Sequence, residues 1–442
     1  MSQETDALLP TKSPEIDYTI NLISHDVPGE EYDDDDNPTG RKQVGDFTVF
    51  GNIINSIVGT GCFSLPNAFY QSGIPFSLLL MTFCATFSII GAIYTLEMSA
   101  RARGHRYARQ HNLKHTKQMN KLTFVSYEFG DVMEEFLGKG GNIFSSLMMS
   151  LYVLGSIWGY AAMFGSAAAN LFSHYLLRSS TEYSILFLYL VLCRRRPRYG
   201  NSPNASVCSA PTLLYHLSFA LNCALTLPGL IQPLKHGKKR AALDSVGAMI
   251  ISVVIFLTVG ITSSLAIGPN VYPYVIMNYS HYGKFGFAPT GIEPVETWYS
   301  TLLKLVIMLF PMINTLSAAP IVTNTLTSAL FPLLPRTARE RAPVLFYIVN
   351  FIVSIIPFIL ALLFPNMGVV VDFCGLSAVF IGIIIPAIGH LASKHKCKPE
   401  SKTPYSGFWS HSIVGIILLV YGFAAFAYNV YYFIYSNFIK KT

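Results

Sequence analysis

Long apolar stretches run through the chain from residue 47 onward, and they constrain its fold more than any other feature. Charged residues make up only 12% of the 442 residues, whereas hydrophobic residues make up 52%. Water-soluble domains carry about 25% charged residues, so this chain has too few charges to cover its apolar surface. A run of about 20 apolar residues crosses a bilayer as a helix. The sequence therefore predicts an all-α, polytopic membrane protein.

Nine stretches are apolar enough to be membrane spans. They lie near residues 47–72, 75–99, 143–172, 211–231, 245–267, 299–330, 343–364, 368–392 and 409–435. The loop 101–121 holds seven basic and no acidic residues. Further basic clusters lie at Lys235–Arg240, Arg336–Arg341 and Lys394–Lys402. Because basic loops tend to stay in the cytosol, these loops and the N-terminus are predicted to be cytosolic. Residues 122–138 are amphipathic and are expected to lie at the membrane interface.

Residues 1–46 form an acidic segment whose composition differs from the rest. They hold 12 acidic and three basic residues. Such a polar segment is predicted to be a disordered cytosolic tail, and residues 47–438 are predicted to form the transmembrane domain. Within the tail, Glu4–Leu9 fits the acidic dileucine pattern, which sorting adaptors recognise. The predicted location is therefore an endolysosomal, vacuolar or plasma membrane.

The predicted topology is inconsistent at one place, between residues 183 and 211. Tyr183–Cys193 is apolar for only 11 residues, which is about 16 Å of helix where a bilayer core is about 30 Å thick. If this segment crossed the membrane, the basic cluster Lys235–Arg240 would fall on the wrong side. Either the segment does not cross, which gives nine spans, or a helix is missing between residues 193 and 211.

Several stretches resemble the amino acid/auxin permease family. Phe50–Gly73, which reads FGNIINSIVGTGCFSLPNAFYQSG, resembles the first helix of that family. Asp372–Ala387 resembles its penultimate helix, with the same Pro-Ala end. Leu309–Thr325 and Leu227–Pro233 are most similar to the transmembrane protein 104-like branch. The resemblance covers most of residues 47–435.

The resemblance implies the five-plus-five inverted-repeat fold of the APC/LeuT type, usually with eleven helices. It also implies secondary active transport of amino acids by alternating access, with Na⁺ or H⁺ as the coupling ion. On this alignment residues 211–231 are the sixth helix, the fourth helix stops at Cys193, and the fifth is absent. The fold is therefore expected to be incomplete, with nine to ten spans.

We interpret residues 194–211 as a deletion junction or an error in the gene model. Sequencing the transcript across residues 185–215 tests this interpretation. An intact transcript of the short form would exclude the gene-model error.

An interruption in the first span is the predicted substrate site. Gly59 and Gly61 flank Thr60 within an apolar stretch, and Pro66 follows. Unpaired N–H groups at a half-helix end can bind a carboxylate, and unwound carbonyls can bind an amino group or Na⁺. The predicted substrate-binding residues are Asn55, Ser56, Gly59, Thr60, Gly61 and Ser64, with the carboxylate near the amides of Gly61–Phe63. The alternative is that the glycines only allow close helix packing.

The span 299–330 is the predicted ion site, because it combines side-chain hydroxyls with two prolines. The ion-binding candidates are Asn314, Thr315, Ser317, Thr323 and, on the span 368–392, Asp372. An acidic residue within a span is a functional candidate. The alternatives are hydrogen bonds between helices for the hydroxyls and an interfacial position for Asp372.

The other polar side chains within or near the spans are assigned no role. Glu97 is expected to face water at the end of the second span, and Lys304 is expected to extend toward the interface. His174, His216 and His390 are expected to lie at the interface, and the sequence names no partner for them.

Two functions remain open on the sequence alone. The first is ion-coupled amino acid transport, and the alternative is a transporter-like nutrient sensor or scaffold that acts through its N-terminal tail. An enzyme is not expected, because no set of nucleophile, base and metal ligands is present. No cofactor, metal or nucleic-acid partner is predicted, so the expected partners are the amino acid, the lipid bilayer and a sorting adaptor at Glu4–Leu9.

Overall fold

A computed structural model describes residues 45–58, 60–122, 129–175, 210–222, 227–231, 234, 240–287, 295–330, 342–363 and 367–434. Residues 1–44 of the predicted acidic tail, with its sorting motif, and all but the last two residues of the predicted junction 194–211 lie outside these described residues. These predictions therefore stay predictions.

The described residues form twelve α-helical stretches and one short hairpin, and the fourth stretch is two helices that meet at Gly138, where φ is 71°. The helices are α1 (Asp46–Ile57), α2 (Leu65–Ser72), α3 (Ile74–Gln110), α4 (Phe129–Tyr175), α5 (Ala210–Ala220), α6 (Leu227–Ile231), α7 (Ala241–Ile267), α8 (Trp298–Leu330), α9 (Ala342–Leu363), α10 (Met367–Val379), α11 (Ile385–Lys396) and α12 (Ser412–Ile434). A π-helix, Phe380–Ile384, joins α10 to α11. The strands β1 (Tyr282–Gly283) and β2 (Gly286–Phe287) pair antiparallel between α7 and α8.

Eight helical stretches of the described residues are long and apolar enough to cross a membrane. They are Asp46–Ser72, Ile74–Gln110, Phe129–Gly165, Ala241–Asn270, Trp298–Leu316, Val344–Leu363, Phe373–Lys396 and Ser412–Tyr432. The prediction of an all-α, polytopic membrane protein is therefore confirmed. The predicted span 211–231 is represented by two short helices, α5 and α6, rather than by one continuous helix.

Helix α4 is a central packing partner within the described bundle. It packs against α8, α9 and α10, and α10 packs in turn against α5. Helix α7 packs against α1 and α2, and α5 packs against α2 and against the turn that joins α1 to α2. The first span is thus enclosed between α7 and α5. Large apolar side chains remain on the outer faces, for example Tyr347 and Phe351 on α9, where lipid replaces a protein partner.

Helix α3 and the π-helix approach each other backbone to backbone. A Cβ atom on Gly91 would lie only 2.1 Å from the carbonyl oxygen of Gly382, so residue 91 must be glycine for this packing. π-helical turns are rare and are frequently found at functional sites. This contact fixes the position of α10 and α11 relative to α3.

A buried ion pair on α3 joins three parts of the chain. The side chains of Glu97 and Arg101 are buried, and an Arg101 Nη lies 2.5 Å from a carboxylate oxygen of Glu97. The Arg101 guanidinium also donates to the Ser401 carbonyl oxygen at 2.8 Å and to the Ser393 hydroxyl at 3.1 Å. Because a buried charge is tolerated only with good partners, these contacts hold α3, α11 and the segment before α12 in one arrangement.

His390 on α11 completes this network. Its Nδ1 lies 3.2 Å from a Glu97 oxygen, and its ring stacks on Tyr94 with the centroids 3.8 Å apart. Its Nε2 lies 3.3 Å from the Ser410 carbonyl oxygen, and the Ser410 hydroxyl donates to the second Glu97 oxygen. Every polar atom of the Glu97 carboxylate therefore has a partner within the protein.

One sequence-based expectation is wrong in this region: Glu97 does not face water, because α3 continues to Gln110 and buries it. His390, for which the sequence named no partner, is buried and paired. The expectation for Lys304 stays a prediction: the side chain is buried, and its Nζ reaches back to lie 3.1 Å from Glu296 Oε1, just before α8.

Candidate functional site

The first span is interrupted at the position that the glycine pair, Gly59 and Gly61, predicts. Helix α1 ends at Ile57, residues Thr60–Phe63 form a 3-10 turn, and α2 begins at Leu65. We call Thr60–Phe63 the 3-10 turn. Gly59 lies outside the described residues. The first span is therefore two helices joined by a turn whose backbone does not follow the α-helical hydrogen-bond pattern.

The 3-10 turn lies directly against the end of α5. A Cβ atom on Gly61 would lie 3.0 Å from the Cα and 3.1 Å from the Cβ of Ala220. A Cβ at these distances would be tighter than ordinary van der Waals contact, so the α5 backbone would have to shift by a few tenths of an ångström. The absence of a side chain at position 61 is thus what allows the two segments to meet.

Ser64 connects the 3-10 turn to His216 on α5. The Ser64 hydroxyl donates to the Gly61 carbonyl oxygen at 2.8 Å, and its oxygen lies 2.8 Å from His216 Nδ1. Both side chains are buried, Ser64 fully and His216 at 6% exposure. The hydrogen of the Ser64 hydroxyl is therefore committed to the protein, so Ser64 shapes the turn that was predicted to bind the substrate.

The sequence named no partner for His216, and the structure shows one. It sits within the apolar run Leu213–Ala220 and bonds to a residue 152 positions earlier in the chain. A signal was available in the sequence, because a polar ring inside an apolar span requires a polar partner and marks a functional candidate. The identity of that partner depends on tertiary packing.

A second interruption follows α5. The helix ends at Ala220, Asn222 is not helical, and α6 begins only at Leu227. Neither the oxygen nor the nitrogen of the Asn222 side-chain amide has a hydrogen-bond partner among the described residues. The amide lines a small cavity with room for about one water molecule. Sequence reasoning missed Asn222, although Pro228 marks this span as irregular.

The structure gives less information on the other predicted substrate-binding residues. Asn55 and Ser56 lie on the exposed face of α1, whose opposite face is buried. Thr60 belongs to the 3-10 turn, but its side chain lies outside the description. The structure thus brings Gly61 and Ser64 together at the turn, and the roles of all six residues stay predictions.

Among the predicted ion-binding residues, Thr315 has the most informative environment. It is buried at 5% exposure, and its hydroxyl has no hydrogen-bond partner among the described residues. A buried hydroxyl without a partner costs about 1–3 kcal/mol, which a bound ligand could offset. Thr323 is also buried and Asn314 is half-buried, whereas the side chains of Ser317 and Asp372 lie outside the description.

The 3-10 turn and α8 adjoin one another. The rings of Phe63 and Phe310 pack edge to face with centroids 5.8 Å apart. Phe310 lies about one helical turn before Thr315 on α8. The predicted substrate and ion sites are therefore on neighbouring elements. The described residues contain no group of three or more His, Cys, Asp or Glu side chains that could hold a metal ion.

One family model matches most of the chain. The model describes a transmembrane amino acid transporter protein and matches residues 43–194 and 194–435. The two matched segments meet at Arg194, which is the start of the predicted junction. No curated protein matches the chain.

We predict that Gly61→Ala destabilises the protein and weakens amino acid binding, because the new methyl group overlaps the Ala220 backbone. Overpacking of this kind costs about 1–3 kcal/mol, measurable as a lower melting temperature in detergent. Gly51→Ala on α1 is the control, since a Cβ there meets nothing within 4 Å. If Gly61→Ala melts at the same temperature as Gly51→Ala, the close approach at position 61 is wrong.

Proposed function

The chain belongs to the transmembrane amino acid transporter family, and from this premise we propose that it is a secondary active transporter. It moves amino acids across a membrane by alternating access, driven by an ion gradient. The family supports the amino acid as substrate and the bilayer as environment. The transmembrane protein 104-like branch and the inverted-repeat arrangement remain parts of the proposal, based on the resemblances of individual stretches.

The observation that carries this proposal is the interruption of the first span beside the end of α5. A zwitterionic solute needs hydrogen-bond donors for its carboxylate and acceptors for its amino group. Within Gly61–Phe63, the amides at the start of the 3-10 turn have no partner inside the turn and can supply the donors, and the last turn of α1 can supply carbonyl acceptors. Discontinuous helices near the middle of a span serve this purpose in many transporters. The close approach of Gly61 and Ala220 supports this proposal, because it brings the end of α5 beside the 3-10 turn.

The coupling-ion site is proposed on α8. The unpaired Thr315 hydroxyl is an oxygen ligand of the type that Na⁺ accepts, and the Phe63–Phe310 contact joins α8 to the 3-10 turn. Asn314, Ser317, Thr323 and Asp372 remain further candidates. We propose in addition that the N-terminus is cytosolic and that Glu4–Leu9 directs the protein to an endolysosomal or vacuolar membrane, in preference to the plasma membrane.

The sensor or scaffold alternative depends on the acidic tail, residues 1–46. The buried hydroxyl of Thr315 has no hydrogen-bond partner among the described residues, which supports a ligand-binding function, as transport or sensing requires, over a pure scaffold.

Uptake into proteoliposomes tests the proposed function. The purified full chain should accumulate at least one radiolabelled amino acid of a complete panel when a Na⁺ or pH gradient is applied. Thr60→Phe should abolish this uptake, because a large ring fills the 3-10 turn. Thr258→Phe is the matched control, since Thr258 is exposed on α7 and bonds only within its helix.

Two results would contradict the proposal. Absence of uptake under every gradient, together with capture of a cytosolic protein by residues 1–46, would support the sensor instead. Unchanged uptake by Thr60→Phe would remove the 3-10 turn from the substrate path.

Thr315→Val separates a ligand-binding hydroxyl from a merely buried one. If Thr315 binds the coupling ion, the variant should need about tenfold more Na⁺ for half-maximal uptake, which corresponds to about 1.4 kcal/mol of lost binding. Thr327→Val is the control on the same helix, because the Thr327 hydroxyl is buried but already bonded to the Thr323 carbonyl oxygen at 3.0 Å. A variant that is simply more stable, with unchanged ion dependence, would show that Thr315 has no ion role.

A further inference from the structure

The loop between α11 and α12 is bonded to the bundle by its inner side. We call this loop, residues 397–411, the connector. The Ser401 carbonyl oxygen accepts a hydrogen bond from Arg101 at 2.8 Å, and the Trp409 carbonyl oxygen accepts one from the Tyr94 hydroxyl at 2.7 Å. Both donors lie on α3, so the backbone of the connector is turned toward the bundle at two separate points.

The connector carries exposed lysines without counter-ions. Lys398 and Lys402 are exposed, and neither forms an ion pair within the part of the chain that the structure describes. Between Lys394 and His411 the sequence holds four lysines and one acidic residue, Glu400, which leaves a net charge of +3 with histidine neutral.

The acidic side chains at the start of α4 are already engaged. This part of α4 lies at the same end of the bundle, because the Lys396 ammonium at the end of α11 donates to the Glu135 carbonyl oxygen. The Glu135 carboxylate is bonded at 2.7, 3.0 and 3.1 Å to three basic side chains, which are His105, Arg106 and Arg109. Glu134 accepts a hydrogen bond from an asparagine amide of α4 at 2.6 Å, and Asp131 interacts with Arg106. These carboxylates therefore leave the lysines of the connector without a counter-charge.

The segment that follows α3 places two more lysines at this end. The Asn120 amide donates to the carbonyl oxygens of Glu400 and Lys402 at 2.8 and 3.1 Å, so this segment lies against the connector. Lys114 and Lys117, slightly earlier in the chain, are exposed and likewise have no ion-pair partner among the described residues. The connector is therefore part of a larger basic surface.

Two aromatic side chains are also exposed on the connector. Phe408 is 74% and Trp409 is 42% exposed, and α12 begins at Ser412. The stretch Ser412–Tyr432 is long and apolar enough to cross a membrane, and Ile413 at its start is 71% exposed. Because aromatic side chains are enriched where a membrane helix meets water, the connector is expected to lie at the level of the lipid headgroups.

We propose that the connector binds the headgroups of anionic phospholipids, with Lys398 and Lys402 at the phosphate and with Phe408 and Trp409 at the membrane interface. Lysines next to a membrane helix attract acidic lipids through their charge. The exposed aromatic rings favour a lipid over a water-soluble acidic partner, because such rings are stabilised at the bilayer interface. This inference does not depend on the substrate or the coupling ion of the proposed function.

A lipid bound to the connector should also stabilise the bundle. The inner side of the connector accepts a hydrogen bond from Arg101, which belongs to the buried network around Glu97. A ligand that binds only the folded chain raises its melting temperature. The melting temperature should therefore be higher in nanodiscs that contain phosphatidylserine than in nanodiscs of phosphatidylcholine alone.

The tryptophans of the chain provide a local probe for this lipid. The chain has three, of which Trp409 lies in the connector, Trp298 at the start of α8 is 79% exposed, and Trp158 is buried at 7% exposure. Three candidate membrane spans lie between Trp298 and the connector along the chain. The two exposed tryptophans are therefore expected on opposite sides of the membrane.

Quenching of Trp409 fluorescence by brominated lipids tests the proposal. The purified full chain with Trp298→Phe is placed in nanodiscs of phosphatidylcholine that contain either brominated phosphatidylserine or brominated phosphatidylcholine. Phosphatidylserine should quench Trp409 more strongly at equal mole fraction, and 1 M salt should reduce this preference because it shortens the Debye length to about 3 Å. The Trp409→Phe protein is the matched control, since its remaining exposed reporter, Trp298, should show no preference.

Two pairs of lysine substitutions locate the lipid on the basic surface. Lys398→Gln with Lys402→Gln, in the Trp298→Phe chain, should lower the association constant of phosphatidylserine relative to phosphatidylcholine by up to about fivefold for each lysine removed. The same pair should abolish the rise in melting temperature. Lys114→Gln with Lys117→Gln removes an equal charge outside the connector and should have a smaller effect. All four side chains are exposed, so both variants should fold.

Several results would overturn the proposal. Equal quenching of Trp409 by the two lipids, or an unchanged preference after loss of Lys398 and Lys402, would show that the connector does not select acidic lipids. An equal preference at Trp298, or an equal effect of both lysine pairs, would mean that acidic lipids gather without a site on the connector. If soluble polyglutamate binds in phosphatidylcholine nanodiscs while phosphatidylserine is not preferred, the surface takes an acidic protein instead. None of these measurements involves uptake, so they leave the proposed function unaffected.

Discussion

Backbone hydrogen bonding in the absence of water is the constraint on which the rest of this structure depends. An unpaired backbone N–H or C=O in hydrocarbon costs several kcal/mol, so most of the described chain is helical. The first span departs from this rule between Ile57 and Leu65, and the span of α5 departs from it at Asn222. At the first departure a 3-10 turn, the Ser64 hydroxyl and His216 supply replacement partners. At this interruption, a small polar cluster thus replaces hydrogen bonds that a continuous helix would make.

Whether a buried polar group has a hydrogen-bond partner distinguishes structural clusters from candidate binding sites in this chain. At Glu97, Arg101 and His390 each charged group meets several partners, and the cluster fixes helices in one arrangement. Thr315 and Asn222 have buried polar atoms with no partner among the described residues. Native proteins leave few such atoms unpaired, so these two residues are better candidates for ligand contact than the more strongly charged cluster.

Local patterns allowed prediction of the spans and of the first interruption, because apolar length, Gly61 and Pro66 act through adjacent residues. The same patterns identified Thr315 as one of several hydroxyl-bearing residues of α8, but they could not rank these residues as ion ligands. The roles of Glu97 and His216 could not be predicted, since Glu97 meets Ser410 at a separation of 313 residues and His216 meets Ser64 at 152. A hydropathy pattern records how apolar a segment is and carries no information on which distant segment faces it. The interruption at Asn222 was missed because residues 211–231 are apolar enough on average to be read as one continuous span, although Pro228 marks the span as irregular.

The side chain at position 216 supports the 3-10 turn through Ser64. A carboxylate, a lysine or an arginine there would bury a full charge in the membrane domain, which is costly without a paired counter-charge. An aliphatic side chain would leave the Ser64 oxygen without its second partner. Imidazole can hydrogen-bond through Nδ1 while it remains neutral, so histidine supplies the bond to Ser64 without burying a permanent charge.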